Sequence, residues 1–346
     1  MPDNPFDMHL RPGKLPPDLL KTFLSGLITA EKRVLLGPNV GEDSAFISFG
    51  SSTLIAKSDP ITFATDRIGW YAIQVNANDI AASGGTPKWF LSTLLLPEDE
   101  KVSNVKDIFE QMREAADELG VTIIGGHTEI TTGLSRPIIA GTMLGEAAPS
   151  ATVKTSSAQP GDDVILTSGI AIEGTAILAR ESKTELLAAG VSEDEIKKAA
   201  NLLNVPGISI VKPAQVAMST GQVTAMHDPT EGGLAGAMDE LARASGTGVT
   251  IDDDQVLIFD ETKTICEALF IEPWGLIASG SLIITAHPNG SQKVIKALTQ
   301  AGIEANVIGK ITDFKKGLQI IKKGELQPLP KFERDEIARY FETLNS

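Results

Sequence analysis

The sequence predicts a mixed fold of strands and helices, α+β or α/β, divided between two domains. Three observations lead there. The chain has 346 residues, which on length favours two cores over one. Short β-rich runs alternate with helical periodicities in both halves. Between the halves, residues 147–161 are small, polar and proline-bearing, the composition of a connection rather than a core. The expected domains are residues 1–148 and 160–346.

The elements follow in chain order. Leu19, Leu20, Phe23, Leu24 and Leu27 share one helical face, which Pro16 and Pro17 start. Strands are expected at 45–49, 53–57, 90–95, 121–124 and 138–144. Helices are expected at 68–83, ended by Gly84 and Gly85, and at 102–119. In the second of these Val105, Ile108, Phe109, Met112, Ala116 and Leu119 form the apolar face. Beyond the connection, strands at 164–167, 223–226, 282–285 and 307–311 alternate with helices near 173–188, 193–203, 230–244 and 292–301. Another helix covers 261–270. The tail, 335–344, sets Ile337, Phe341 and Leu344 on one face and reads as a docked amphipathic helix.

Composition narrows the function. No apolar run reaches the length of a membrane span, and Met-Pro-Asp-Asn-Pro begins no secretory signal, so a cytoplasmic location away from membranes is expected. Cys266 is the single cysteine, which rules out an internal disulfide and any multi-cysteine metal site; it reads as a small buried hydrophobe. A formal net charge of −15 argues against nucleic acid and predicts that free nucleotides are repelled unless a cation bridges them. Aromatics at 5% leave little for base stacking.

Acidic, glycine-flanked segments carry the chemistry: Gly41-Glu42-Asp43, Ser58-Asp59-Pro60, Asn78-Asp79 ahead of Gly84-Gly85, and Asp228-Pro229-Thr230-Glu231-Gly232-Gly233. Carboxylates at strand ends suit a hard cation, and paired glycines let backbone N–H groups approach phosphate. Each segment also has a plainer reading. Asp43 sits in an acidic turn. Asp228, Pro229 and Glu231 resemble a capped helix start, which needs no ligand but also favours phosphate. Asn76, Asn78 and Asp79 are poor helix formers in an apolar helix, so they mark either a solvated face or a binding surface. Gly125-Gly126-His127-Thr128-Glu129 reads as a loop after a buried strand. His127 and His227 on unrelated segments make a weak zinc site. No P-loop, dinucleotide fingerprint or nucleophile elbow occurs.

In that order the motifs resemble the aminoimidazole-ribonucleotide-synthase-like, or PurM-like, superfamily. Its branches include thiamine-monophosphate kinase, selenophosphate synthetase and the hydrogenase maturation factor HypE. Gly41–Phe46, Asp59-Pro60-Ile61, Val75–Ala81, Gly125–Thr128 and His227–Leu234 carry the resemblance, the last being most like the maturation branch. The resemblance implies an α+β two-domain fold, with an N-terminal domain that forms a β-barrel with its partner in a homodimer and a C-terminal α/β domain. It implies ATP with Mg²⁺ between them, with Asp43, Asp59, Asp79 and Asp228 holding the metal. Gly125, Gly126 and Thr128 would line the phosphates, with Lys14, Asn78 and Glu231 as further nucleotide contacts. Lys14 also reads as a helix-flanking surface lysine. Asp43, Asp228 and His127 would serve catalysis.

The expected activity is ATP-driven activation or phosphorylation of an oxygen-bearing acceptor, a small molecule or a carrier protein. A small-molecule kinase and a nucleotide-binding assembly partner without turnover are the alternatives. The maturation branch ends in a cysteine tail, whereas this sequence ends Glu342-Thr343-Leu344-Asn345-Ser346, so a thiol carrier is not expected.

Overall fold

A computed structural model describes residues 14–25, 27, 31–62 and 66–344. The helix expected after Pro16-Pro17 is α1 (Pro17–Leu24), with proline in its first turn. Residues 34–147 then build a six-stranded sheet. Its strands are β1 (Val34–Leu36), β2 (Ala45–Phe49), β3 (Ser52–Ile61), β4 (Thr86–Leu96), β5 (Thr122–Ile130) and β6 (Ile138–Ala147). They lie in the order β1-β2-β3-β6-β4-β5, antiparallel except for β4 with β5. The sheet is open, with β1 and β5 at its edges.

Two helices complete this half. Helix α2 (Ile68–Ala82) is buried on nearly every side, so its polar residues form no solvated face, and Asp79 lines a buried cleft instead. Helix α3 (Val102–Leu119) ends at Gly120 in the left-handed conformation and buries Ile108, Met112, Ala115 and Ala116. Phe109, expected on that face, is exposed.

The second half forms a seven-stranded mixed sheet, ordered β13-β12-β9-β11-β7-β10-β8. These strands are β7 (Asp163–Thr167), β8 (Val223–His227), β9 (Gly248–Asp252), β10 (Leu282–Ala286), β11 (Ala305–Thr312), β12 (Leu318–Lys322) and β13 (Glu325–Pro328). Its helices are α4 (Ile172–Glu181), α5 (Lys183–Ala188), α6 (Glu193–Asn201), α7 (Val211–Ser219), α8 (Gly233–Ser245), α9 (Asp260–Leu269), α10 (Pro288–Gln300) and α11 (Glu336–Leu344). The helix expected over 173–188 is thus two, broken at Ser182. No described helix is long and apolar enough to cross a membrane.

One hydrophobic cluster runs through both halves, joining Phe46, Ile55, Ile73 and Phe90 with Ile165, Met226, Leu282 and Ile284. The connection is part of this packing. Val153, Thr155 and Ala158 are buried, and the Glu42 carboxylate accepts from the backbone N–H groups of Thr155 (3.1 Å) and Ser156 (3.3 Å). Asn78 is a second tie. Its amide donates to Ile208 O (2.7 Å) and accepts from Ile210 N (2.9 Å), at zero exposure.

A cleft of buried carboxylates

The site is assembled from both halves. Strand β3 presents Lys57 and Asp59 on one face by its two-residue period. Helix α2 brings Asp79 above them, Asp43 precedes β2, and His227 and Asp228 close β8. Glu240 arrives from α8. Together with Lys14, Gly41, Glu42 and Thr230, these residues line a cavity of about 100 Å³. Gly41 explains how β2 gets so close: at φ +82°, a Cβ there would lie 2.6 Å from Glu240 O.

Six carboxylates line this cavity against two lysines and one histidine, and the pairing leaves some of them out. His227 is 4% exposed, with Nδ1 2.7 Å from Asp43 Oδ1 and Nε2 3.0 Å from Glu240 Oε2. Burial alone would lower its pKa, but the two carboxylates raise it well above the usual imidazole value. An imidazole that donates from both nitrogens has no lone pair left for a metal. So although Asp43, His227 and Asp228 come within 4.8 Å of one another, the histidine acts as a cation there and not as a ligand. Burial opposes ionisation of Glu240 as well, yet Lys14 and His227 bring it down to about 2.

Asp79 and Asp228 are the exceptions. Lys57 Nζ lies 2.8 Å from Asp79 Oδ1, while Asp79 Oδ2 and Asp228 Oδ2 are buried with no hydrogen-bond partner. Burial, then Asp43, pushes Asp228 up to about 7. Burial likewise raises Asp79 and Asp59, against the pull of Lys57. Orphaned carboxylate oxygens converging in one cleft cost free energy until a cation meets them. Four aspartates offering oxygen only are a donor set for a hard divalent ion such as Mg²⁺.

Several expectations are corrected. Asp228 does not cap α8: that helix starts at Gly233 behind Gly232, and Gly232 N donates to Asp335 Oδ2 from the C-terminal segment (2.6 Å). That backbone donor is therefore taken and not held open for phosphate. Asn78 bonds backbone through both its amide nitrogen and its oxygen, at zero exposure, and does not line the cleft. The expected loop 125–129 is the continuation of β5, and all nine residues of that strand are exposed. Gly126 is needed there because its Cβ would meet Ser92 O at 2.2 Å.

The sheet register aligns Asp59 with Gly141, Gly141 with Ser92 and Ser92 with Gly126. Gly125, Gly126, His127 and Thr128 therefore lie three strands from Asp59, roughly 14 Å away. Among the described residues His127 pairs with Glu129, at 3.3 Å, and is not brought near His227. Lys14 does reach the cleft, and Glu231 lies beside it. The Lys14 ammonium donates to Thr230 Oγ1 (3.0 Å) and Glu240 (3.2 Å), with Glu231 at 3.7 Å. Sequence reasoning missed Lys57, Thr155 and Glu240. None sits in a motif, and only the period of β3, which pairs Lys57 with Asp59, pointed to one of them.

Comparison with known proteins fits this architecture. The N-terminal domain of AIR synthase related protein matches residues 41–147, and its C-terminal domain matches residues 159–321. The chain belongs to this family. A putative hydrogenase expression/formation protein of Methanocaldococcus jannaschii is 28% identical over 322 residues, covering 90% of this chain and 92% of the relative. The carbamoyl dehydratase HypE of Rhizobium leguminosarum is 26% identical over 280 residues, covering 78% and 77%. Among solved structures, HypE in complex with HypF aligns with a TM-score of 0.73 at 22% identity, over 91% of this chain and 99% of that one. ThiL complexed with AMPPCP and TMP aligns at 0.70 and 21%, over 92% and 94%. At these identities the structures speak for a shared PurM-like fold.

Proposed function

We propose that this protein is a Mg²⁺-dependent, ATP-using enzyme that activates or phosphorylates an oxygen-bearing acceptor. The carrying observation is the pair of buried, unpartnered oxygens, Asp79 Oδ2 and Asp228 Oδ2, in a cleft between the halves. Asp43, Asp59, Asp79 and Asp228 would hold the metal, and a divalent cation there would supply charge neutralisation for a transferring phosphoryl group. Lys14 and Lys57 reduce the repulsion that a polyanion meets in this cleft. His227 keeps Asp43 oriented, and Thr155 Oγ1, 3.3 Å from Asp43 Oδ2, fixes its other oxygen. Support from relatives is consistent: HypE has been solved in complex with ATP and ThiL with AMPPCP.

In this reading the domains meet between residues 148 and 160, and the active form is a homodimer. Strand β5 is an exposed edge carrying Ile123, Ile124 and Ile130, a surface that pairing with a second copy would cover. Gly125, Gly126, His127 and Thr128 contribute to phosphate binding or catalysis only through such pairing, because within one chain they lie three strands from Asp59.

Product analysis after incubation with Mg²⁺ and ATP tests the reading. ADP formation that increases with acceptor supports it. ATP that stays intact with every acceptor, while still binding, would mark an assembly partner instead.

A further inference from the structure

Beside the carboxylate cleft lies a second, smaller recess. It shares Asp59 and Thr230 with the first and is completed by Glu173, Glu231, Ser279 and an apolar wall that includes Val75 and Ile277. Glu173 is 5% exposed and Ser279 1%; the Ser279 hydroxyl lies near enough to Glu173 to favour its charged form, but neither Glu173 Oε2 nor Ser279 Oγ makes a well-formed hydrogen bond. Three carboxyl groups line the recess, and among the described residues no basic side chain does. A buried carboxyl oxygen without a well-formed partner accepts from a donor whether the group is neutral or ionised.

We propose that this recess anchors the acceptor by a primary amine, with Glu173 and Ser279 as the specificity-determining contacts. An ammonium group offers three donors and one positive charge, which Glu173, Glu231 and the Ser279 hydroxyl are placed to accept. Because the two cavities meet at Asp59 and Thr230, an acceptor anchored by its amine extends its other end towards the carboxylate cleft. An acceptor that presents a phosphate or carboxylate here meets Asp59, Glu173 and Glu231, with no basic side chain among the described residues lining the recess to offset them. The inference rests on the proposed ATP chemistry only in naming the ligand an acceptor.

The test uses four probes of one chain length: n-propylamine, n-propanol, propionate and n-propyl phosphate. Each is titrated by ligand-observed NMR onto the full chain at neutral pH, with and without magnesium and a non-hydrolysable ATP analogue. Propylamine should bind at least roughly tenfold more tightly than propionate or propyl phosphate. In folded Glu173→Gln that preference should largely disappear, and Ser279→Ala should weaken it. Equal or tighter binding of an anionic probe, an unchanged preference in folded Glu173→Gln, or no probe binding at all would overturn the proposal. Failure of the nucleotide to bind would count against the ATP reading alone, because the titration without nucleotide still decides this one.

Discussion

Asp228 and Glu173 show how one residue's surroundings assign its role. Both are buried carboxyls with an unpartnered oxygen, and burial pushes them to about 7 and about 8 respectively. Glu173 gives a pH prediction with a definite sign. Its folded-state pKa exceeds the ordinary value, so the folded state holds a proton that the unfolded chain releases, and stability falls as pH rises from about 4.5 to about 8. Glu173→Gln removes that loss. Melting curves should show the variant gaining on the wild type across this window, by up to about 1.4 kcal/mol per pH unit. A pH-independent difference would contradict the assignment.

Cys266 allows a second prediction at this scale. It is buried on α9, and burial, with Glu272 and Glu336 nearby, pushes its thiol up to about 12. Without thiolate there is no nucleophile. Cys266→Ser should retain ATP turnover, and incubation with a carbamoyl donor should leave no adduct on the chain by mass spectrometry. A stoichiometric adduct on Cys266 would restore a thiol mechanism.

At the level of elements, Asp335 links α11 to the loop of the site. Its carboxylate accepts from Gly232 N at 2.6 Å and Ile337 N at 2.8 Å, so it serves the starts of α8 and α11 together. Asp335→Ala should cost about 1–2 kcal/mol in denaturant unfolding, as loss of a helix cap does, and should weaken nucleotide binding by releasing the Thr230–Glu231 loop. Unchanged stability would show that another group serves these donors.

This tie was not legible in the sequence, because a cap supplied by another segment leaves no local pattern. Periodic elements were legible: α3 and β2 fall where apolar spacing puts them. Strands β1, β9, β12 and β13 and helix α7 were missed; the four strands have three to five residues each, too few to show a clear period. The extent of β5 was misread because Gly125 and Gly126 look like a turn, whereas Gly126 is required by close approach to β4. In the site, the four aspartates were legible through their glycine-flanked motifs. Lys57, Glu240 and Glu173 were not, since their roles arise only when distant segments pack.

For the whole molecule, the open sheet and its exposed β5 edge lead to an assembly prediction. Light scattering at micromolar concentration should give twice the chain mass of 36.6 kDa. Lysine at both Ile124 and Ile130 should shift the protein towards monomer, because charge on an edge strand discourages pairing. A wild-type monomer that still turns over ATP would contradict the dimeric account. The two halves also share one core and are tied through Asn78 and Glu42, so cooperative unfolding in one transition is expected.

The central claim is that buried carboxylates in the cleft hold a magnesium–nucleotide complex. Calorimetry with Asp228→Asn tests it most directly. Asp228 caps no helix and its buried oxygen has no partner, so the variant should melt at or above the wild-type temperature. Binding of a non-hydrolysable ATP analogue should require Mg²⁺ in the wild type and be lost by at least about 100-fold in the variant, comparable to about 2.7 kcal/mol. Mg²⁺-independent binding, or unchanged affinity in the folded variant, would contradict the account.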